Sequence, residues 1–231
     1  MQSRKLAGLV GAVALLIMAH SVQSWPVSSA EVVTPSGSTN AALLIRPRSA
    51  WRALEPREVQ PLKFSPAPFV VLHHTYIPAF CPSAAECEVS MREMQRMHQQ
   101  DRGWFDIGYT FVVGGDGAVY EGRGWGRDGA HAPRYNDKSV GIAFVGDFRT
   151  SVPSSEMMLA AQNLISVGVR EGHIRADYAL LGHRQTRDTE CPGDALFAEI
   201  SSWPHFRAEP PADPQDFEAF LAANTTLTPL Q

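Results

Sequence analysis

The chain has 231 residues, 44% of them hydrophobic and 19% charged, and a formal net charge of −4. That length suits one domain with a sizeable core and is short for two. A mildly acidic chain without a basic stripe is a poor partner for nucleic acid or for an anionic membrane surface.

Residues 1–24 read as an export signal: Arg4 and Lys5 precede an apolar run over 6–19, and Val22 and Ser24 suit cleavage after Ser24. The alternative, a membrane anchor, is disfavoured because the run falls short of the ~20 residues that cross a bilayer. No later segment is apolar enough to insert. Removing the signal takes away two cations and no acid, so the formal charge moves from −4 to −6. Export implies a secreted, extracellular chain in an oxidising compartment, where Cys81 and Cys87 of "CPSAAEC" are expected to pair. Cys191 is then the odd cysteine: a partner for another chain, a reactive thiol or a metal ligand.

Residues 25–43, rich in Ser, Thr, Pro and Ala, are expected to form a flexible leader, with the folded unit over 44–207. Within that unit 69–73 reads as a strand, and Met91, Met94 and His98 fall at helical spacing over 90–101. Residues 109–122 read as a hairpin turning at Gly-Gly-Asp-Gly, and 140–146 as a further strand. Ser154 or Ser155 caps a helix that carries Met157, Ala161, Leu164, Ile165 and Gly168 on one face and ends near Gly172. A last strand leads into His183, and a last helix begins near Asp194. The alternation predicts an α/β fold, a central mixed β-sheet flanked by helices, without fixing strand order. Residues 208–231 open on a proline-rich break and are expected to be a flexible tail, carrying Asn224 in a glycosylation sequon.

His73 and His74 end the strand at 69–73 and must point to opposite faces, so one of them faces any given site. One of this pair with His183 and Cys191 makes an N/N/S donor set that suits zinc and leaves a coordination position open for water. The bland alternative is that His183 and Cys191 are ordinary loop residues. His98 shares a helix face with two methionines and fits a core histidine as well as a ligand contact. The glycines of "GGDG" lie between two strands and serve a turn rather than a phosphate.

The segments "FVVLHHT", "WFDIGYTFVVGGDGAVYEGRGW", "GAHAPRYNDKSVGIAFVGDF", "LLGHRQTRDTECPGDALF" and "ISSWPHF" together resemble the peptidoglycan recognition protein family, which is similar to the zinc amidases of bacteriophages. The resemblance spans most of the folded unit and is strongest to secreted, catalytic insect members. It implies the amidase-type fold and one zinc ion held by His73, His183 and Cys191, with Tyr109 and Thr189 as catalytic side chains. It implies hydrolysis of the amide between the lactyl group of N-acetylmuramic acid and L-alanine of the stem peptide. His74, Thr75, His98, Arg102, Gly103, Trp104, Arg123 and His131 are then expected in the substrate groove. In the family, Gly-Trp at 103–104 and an arginine at 123 go with diaminopimelic acid peptides, whose extra carboxylate a guanidinium can bind in two-pronged fashion. Glu190 reads as a solvated neighbour rather than a base.

Two readings follow. One is a secreted amidase acting on bacterial peptidoglycan or muropeptide fragments and damping innate immune signalling. The other is a soluble receptor that holds the same ligand and passes a signal to a partner protein. Non-catalytic members commonly carry serine where this chain has Cys191, which favours the enzyme.

Overall fold

A computed structural model describes residues 43–225; the expected export signal and all but the last residue of the expected leader lie outside them. Six strands form one sheet: β1 (Ile45–Arg46), β2 (Ala67–His74), β3 (Phe111–Val113), β4 (Val119–Glu121), β5 (Ser139–Phe144) and β6 (Ile174–Gly182). Their order is β1-β4-β3-β5-β2-β6, and every neighbouring pair is parallel except the β3–β4 hairpin. The mixed sheet agrees with the sequence.

All eight residues of β2 are buried, as a strand covered on both faces requires. Val70 and Leu72 join Ile142, Phe144 and the Met157, Ala161 and Leu164 face of α2 (Ser155–Arg170) in one core. Phe69 and Val71 point the other way, toward Ala179 and Leu181 of β6. Farther along that sheet, Val112 and Ala143 pack with Met91 and Met94 of α1 (Ala84–Arg96). By the two-residue period, His73 belongs with Phe69 and Val71, and His74 with Val70 and Leu72. Parallel strands bring their carboxyl ends to one edge, and a crevice opens there.

Helix α1 begins well before residue 90. Ser83 Oγ accepts from Glu86 N at 3.4 Å and donates to the Glu86 carboxylate at 2.6 Å, an N-cap spelled by Ser-Ala-Ala-Glu. After Arg96 the helix widens into a π-turn, Met97–Asp101. Ser154, not Ser155, caps α2 by accepting from Met157 N at 3.3 Å. A short α3 (Asp194–Ile200) buries Leu196 and Ile200. Cys81 and Cys87 are disulfide-bonded and anchor the loop before α1.

The expectation of a flexible segment from 208 onward needs correction. A 3₁₀ turn, Pro214–Asp216, leads into α4 (Phe217–Thr225), whose Phe217 and Leu221 are buried in the cluster around Phe69, Ala179 and Leu181. Phe217, Phe220 and Leu221 stand at i, i+3 and i+4, an apolar stripe that the proline-rich approach obscures in the sequence. Asp213 accepts from Gln215 N at 3.0 Å, and Arg175 reaches Glu218 at 2.7 Å. The folded unit therefore extends past Arg207. Asn224 lies in the last turn of α4, but its side chain and the rest of its sequon fall outside the described side chains. Among the described residues no helix is long and apolar enough to cross a membrane.

If α4 is part of the core, Phe217→Ala should lower the free energy of unfolding by about 3 kcal/mol. Urea titration checks this, and an unchanged midpoint would remove α4 from the cooperative unit.

Candidate active site

His73 leaves the end of β2, His183 follows β6 in a 3₁₀ turn (His183–Gln185), and Cys191 lies in the loop before α3. One ligating atom from each lies within 4.8 Å of the others. His73 Nδ1 is 3.8 Å from Cys191 Sγ, and the His73 and His183 rings are 4.3 Å apart. Neither ring nitrogen of His183 has a hydrogen-bond partner although both are buried. An orphaned buried imidazole is costly unless a ligand completes it. Tetrahedral bonds of ~2.0–2.3 Å place nitrogen and sulfur ligands roughly 3.6 Å apart, so the donors fit a metal ion.

Electrostatics agree with that fit. Burial first, then His183 and His131, hold His73 well below the ordinary imidazole range. Burial likewise lowers His183 to about 4 and His131 to about 3, so all three rings are neutral near pH 7, the form that ligates. Burial pushes the Cys191 thiol up to about 12, against a hydrogen bond from His74 N at 3.4 Å. Tyr109, whose ring lies 5.2 Å from that of His73, is raised well above its usual value by burial and then by Cys191. Its hydroxyl therefore stays protonated and able to donate.

Two lobes of one cleft meet over these residues and share Thr75, Tyr109 and His183. The first, about 310 Å³, is lined also by His98, Arg102, Trp104, Ala130, His131, Asn136 and Arg187. The second, about 460 Å³, is lined by His74, Tyr76, Arg149, Thr189, Glu190 and Cys191. His74, on the face of β2 opposite His73, lines the second lobe, and its Nδ1 accepts from Phe148 N at 3.2 Å. Thr75 lines both lobes, yet its hydroxyl donates to Pro78 O at 2.8 Å and accepts from Gly146 N at 2.9 Å, which fixes the adjoining loop. Thr189 Oγ1 accepts from Cys191 N at 3.3 Å.

Gly103 ends the π-turn at φ +71°, in the left-handed region that glycine enters freely. The reversal folds Trp104 back: its N–H donates to His98 O at 2.9 Å, its ring lies 4.7 Å from the His98 ring, and the Arg102 guanidinium sits 5.0 Å from its centroid. His98 is both of the things the sequence left open. It is buried, accepts from Gly108 N through Nδ1 at 3.0 Å, and faces the first lobe.

Arg123 is not among the residues lining either lobe. It is buried, with Nε donating to Ile107 O and Nη1 to Asp128 O, both at 2.7 Å. Sequence reasoning missed Arg149, which forms a two-pronged pair with Asp147 and lies 4.8 Å from the Tyr76 ring. It also missed Asn136 and Arg187. Asn136 and Arg187 lie inside the segments that resemble the family, yet no spacing singled out either of them or Arg149; the fold brings all three to the cleft. Glu190 is solvated and 3.6 Å from Arg149.

A mixed sheet whose strand ends bring two histidines and one cysteine together beneath a two-lobed cleft has the architecture of an α/β protein with a candidate metal centre. The family model for N-acetylmuramoyl-L-alanine amidase matches residues 63–194, a span containing all three candidate ligands. Peptidoglycan-recognition protein LB of Drosophila melanogaster is 58% identical over 170 residues, covering 74% of this chain and 72% of that protein. The N-acetylmuramoyl-L-alanine amidase of Homo sapiens is 48% identical over 166 residues, which are 71% of this chain and 29% of that longer protein. A solved peptidoglycan recognition protein-LE in complex with tracheal cytotoxin, described as monomeric diaminopimelic acid-type peptidoglycan, superposes with a TM-score of 0.69 at 43% identity, over 73% of this chain and 97% of that one. The chain belongs to the N-acetylmuramoyl-L-alanine amidase family, among the peptidoglycan-recognition proteins, and is an amidase-type enzyme.

Burial, helped by Arg102 and Arg123, lowers His98 to about 4. Its depressed folded value makes it stabilising above the unfolded value of about 6.5, with that contribution lost as pH falls toward 4. His98→Asn keeps an acceptor for Gly108 N and removes the titration. Between about pH 6.5 and 4, unfolding free energy should fall less steeply in the variant, by up to about 1.4 kcal/mol per pH unit. Denaturant midpoints across that range decide it; parallel curves would place a charged imidazole at 98.

Proposed function

We propose that this chain is a secreted, zinc-dependent N-acetylmuramoyl-L-alanine amidase that cleaves the lactyl–L-alanine amide of peptidoglycan fragments and so damps innate immune signalling. The observation that carries the proposal is the convergence of His73, His183 and Cys191, with both nitrogens of His183 unpartnered, where the two cleft lobes meet. His73, His183 and Cys191 would hold the ion. When bound, zinc supplies Lewis acidity to the scissile carbonyl and to water.

The chain's own residues do the rest. The scissile amide joins a sugar-borne lactyl group to a peptide, so a substrate laid across Tyr109 and His183 extends into both lobes. Tyr109, kept protonated by burial, donates a hydrogen bond to the oxygen that gains negative charge. Thr189, at the rim of the second lobe, orients the attacking water or the leaving amine. Glu190 faces solvent and pairs with Arg149, which fits a solvated neighbour better than a base.

Preference for diaminopimelic acid peptides is supported by the ligand bound to the similar recognition protein-LE and by the cations of the first lobe. Arg102 and Arg187 line that lobe and suit an extra carboxylate. Arg123 lines neither lobe; it holds the carbonyls of Ile107 and Asp128, each two residues before a lobe-lining residue, Tyr109 and Ala130.

Cys191→Ser should reduce release of free stem peptide from muropeptide at least ~10²-fold through weakened zinc binding, while muropeptide affinity is kept. Unchanged turnover would defeat the metal assignment, and wild-type protein that binds zinc without cleaving would favour the receptor reading. With Cys191 near 12 and His183 near 4, loading zinc between those values displaces one proton, from the thiol. Zinc affinity should therefore rise about tenfold per pH unit between about pH 5 and 9. Calorimetry in buffers of different ionisation enthalpy counts that proton, and a count of zero would show a thiolate already formed.

A further inference from the structure

The resemblance places His131 in the substrate groove, but its hydrogen bonds point to another task. The ring is buried, and its Nδ1 lies 3.0 Å from His73 Nε2, on the side of that imidazole away from Cys191. At the other end its Nε2 is 3.5 Å from Ser139 Oγ. The Ser139 hydroxyl has a single proton and donates it to Tyr135 O at 2.6 Å. Its oxygen can then only accept from His131, which requires the His131 proton on Nε2 and a lone pair on Nδ1. That lone pair accepts from His73 Nε2–H. The His73 lone pair is thereby left on Nδ1, the atom 3.8 Å from Cys191 Sγ.

The surroundings of the ring are built for it. Asn136 Oδ1 accepts from both His131 N and Ala132 N, at 2.9 and 2.8 Å, and fixes the loop. Gly129 and Gly141 press close: a Cβ on Gly129 would stand 2.4 Å from His131 Cδ2, and one on Gly141 2.5 Å from both Cδ2 and Nε2. Neither glycine has a positive φ, so backbone freedom is not the reason for it. Each makes room for the imidazole.

We propose that His131 is a positioning residue that fixes the tautomer and ring plane of His73, so that Nδ1 is presented to the metal, and that Gly129 and Gly141 form its seat. This rests on the proposed zinc reading. Hydrogen-bonded partners of metal-bound histidines are typically worth 10- to 100-fold in affinity.

The test measures zinc affinity by chelator competition and muropeptide affinity of the zinc-free full chain by calorimetry, in wild type, His131→Ala and His131→Asn. Alanine should raise the zinc Kd about 10- to 100-fold. Asparagine, whose Oδ1 can take the place of Nδ1, should restore it to within about threefold of wild type. A zinc Kd untouched by alanine, a loss confined to muropeptide affinity, or an asparagine variant as weak as alanine each overturns the inference while leaving the zinc reading in place. Wild-type protein that binds no zinc overturns both. If the alanine variant does not fold, imidazole ¹⁵N shifts of zinc-free wild type decide: a proton on His73 Nε2 supports the proposal and one on Nδ1 overturns it.

Discussion

The site depends on keeping imidazoles uncharged inside a low-dielectric interior. His73 is almost fully buried at the end of a strand with hydrogen-bonded neighbours on both sides, so a proton there would face a desolvation cost and three further histidine rings. Removing that charge makes every other feature consistent. Neutral rings must direct each N–H and each lone pair to a definite partner, because an orphaned polar atom in the interior is expensive. His131 and Ser139 continue from one nitrogen of His73, Cys191 Sγ lies 3.8 Å from the other, and both nitrogens of His183 are without a partner. On the proposed zinc reading, an ion beside Cys191 would take up the remaining lone pairs.

The sheet makes this arrangement rigid. β2 pairs in parallel with β5 and β6, so His73 and the approach to His183 emerge at the same edge, with His73 opposite Ala143 and Leu72 opposite Gly182. Cys191 comes from outside the sheet, and its sulfur is tied back by the His74 N–H. Parity puts His73 and His74 on opposite faces, and His74 lines the second lobe. The loops that line those lobes are held by polar groups with no freedom to spare, such as the Thr75 hydroxyl and the Arg123 guanidinium. Such groups shape the cleft without having to touch what it binds.

Much of this was legible in the sequence. The strand at 69–73, the hairpin glycines, the α2 stripe and the Cys81–Cys87 pairing all follow from local pattern or from compartment, and the structure has them. Parity required His73 and His74 to diverge but could not say which faced the site, because that depends on what packs against each face. The start of α1 is spelled by Ser-Ala-Ala-Glu, whereas the methionine spacing marks only its later turns. α4 was hidden by its polar, proline-rich approach, although its Phe-x-x-Phe-Leu spacing is helical. Arg123 shows a different limit: a guanidinium that can bind a carboxylate can equally bind carbonyls, and only the fold shows two of its nitrogens committed to Ile107 and Asp128.

The choice of two histidines and one cysteine has an electrostatic logic of its own. Without a cation all three groups are neutral near pH 7, since burial lowers the imidazoles and raises the thiol. A carboxylate in place of Cys191 would be harder to keep neutral, its ordinary value being some four to five units lower than a thiol's. On the proposed zinc reading, a divalent ion entering with loss of one thiol proton leaves the buried centre with a net charge of about +1. A single positive charge in a poorly screened interior favours an oxygen that becomes anionic, and Tyr109 stands next to His73 with its proton retained. The same burial that keeps the empty site neutral thus makes the loaded site selective for developing negative charge.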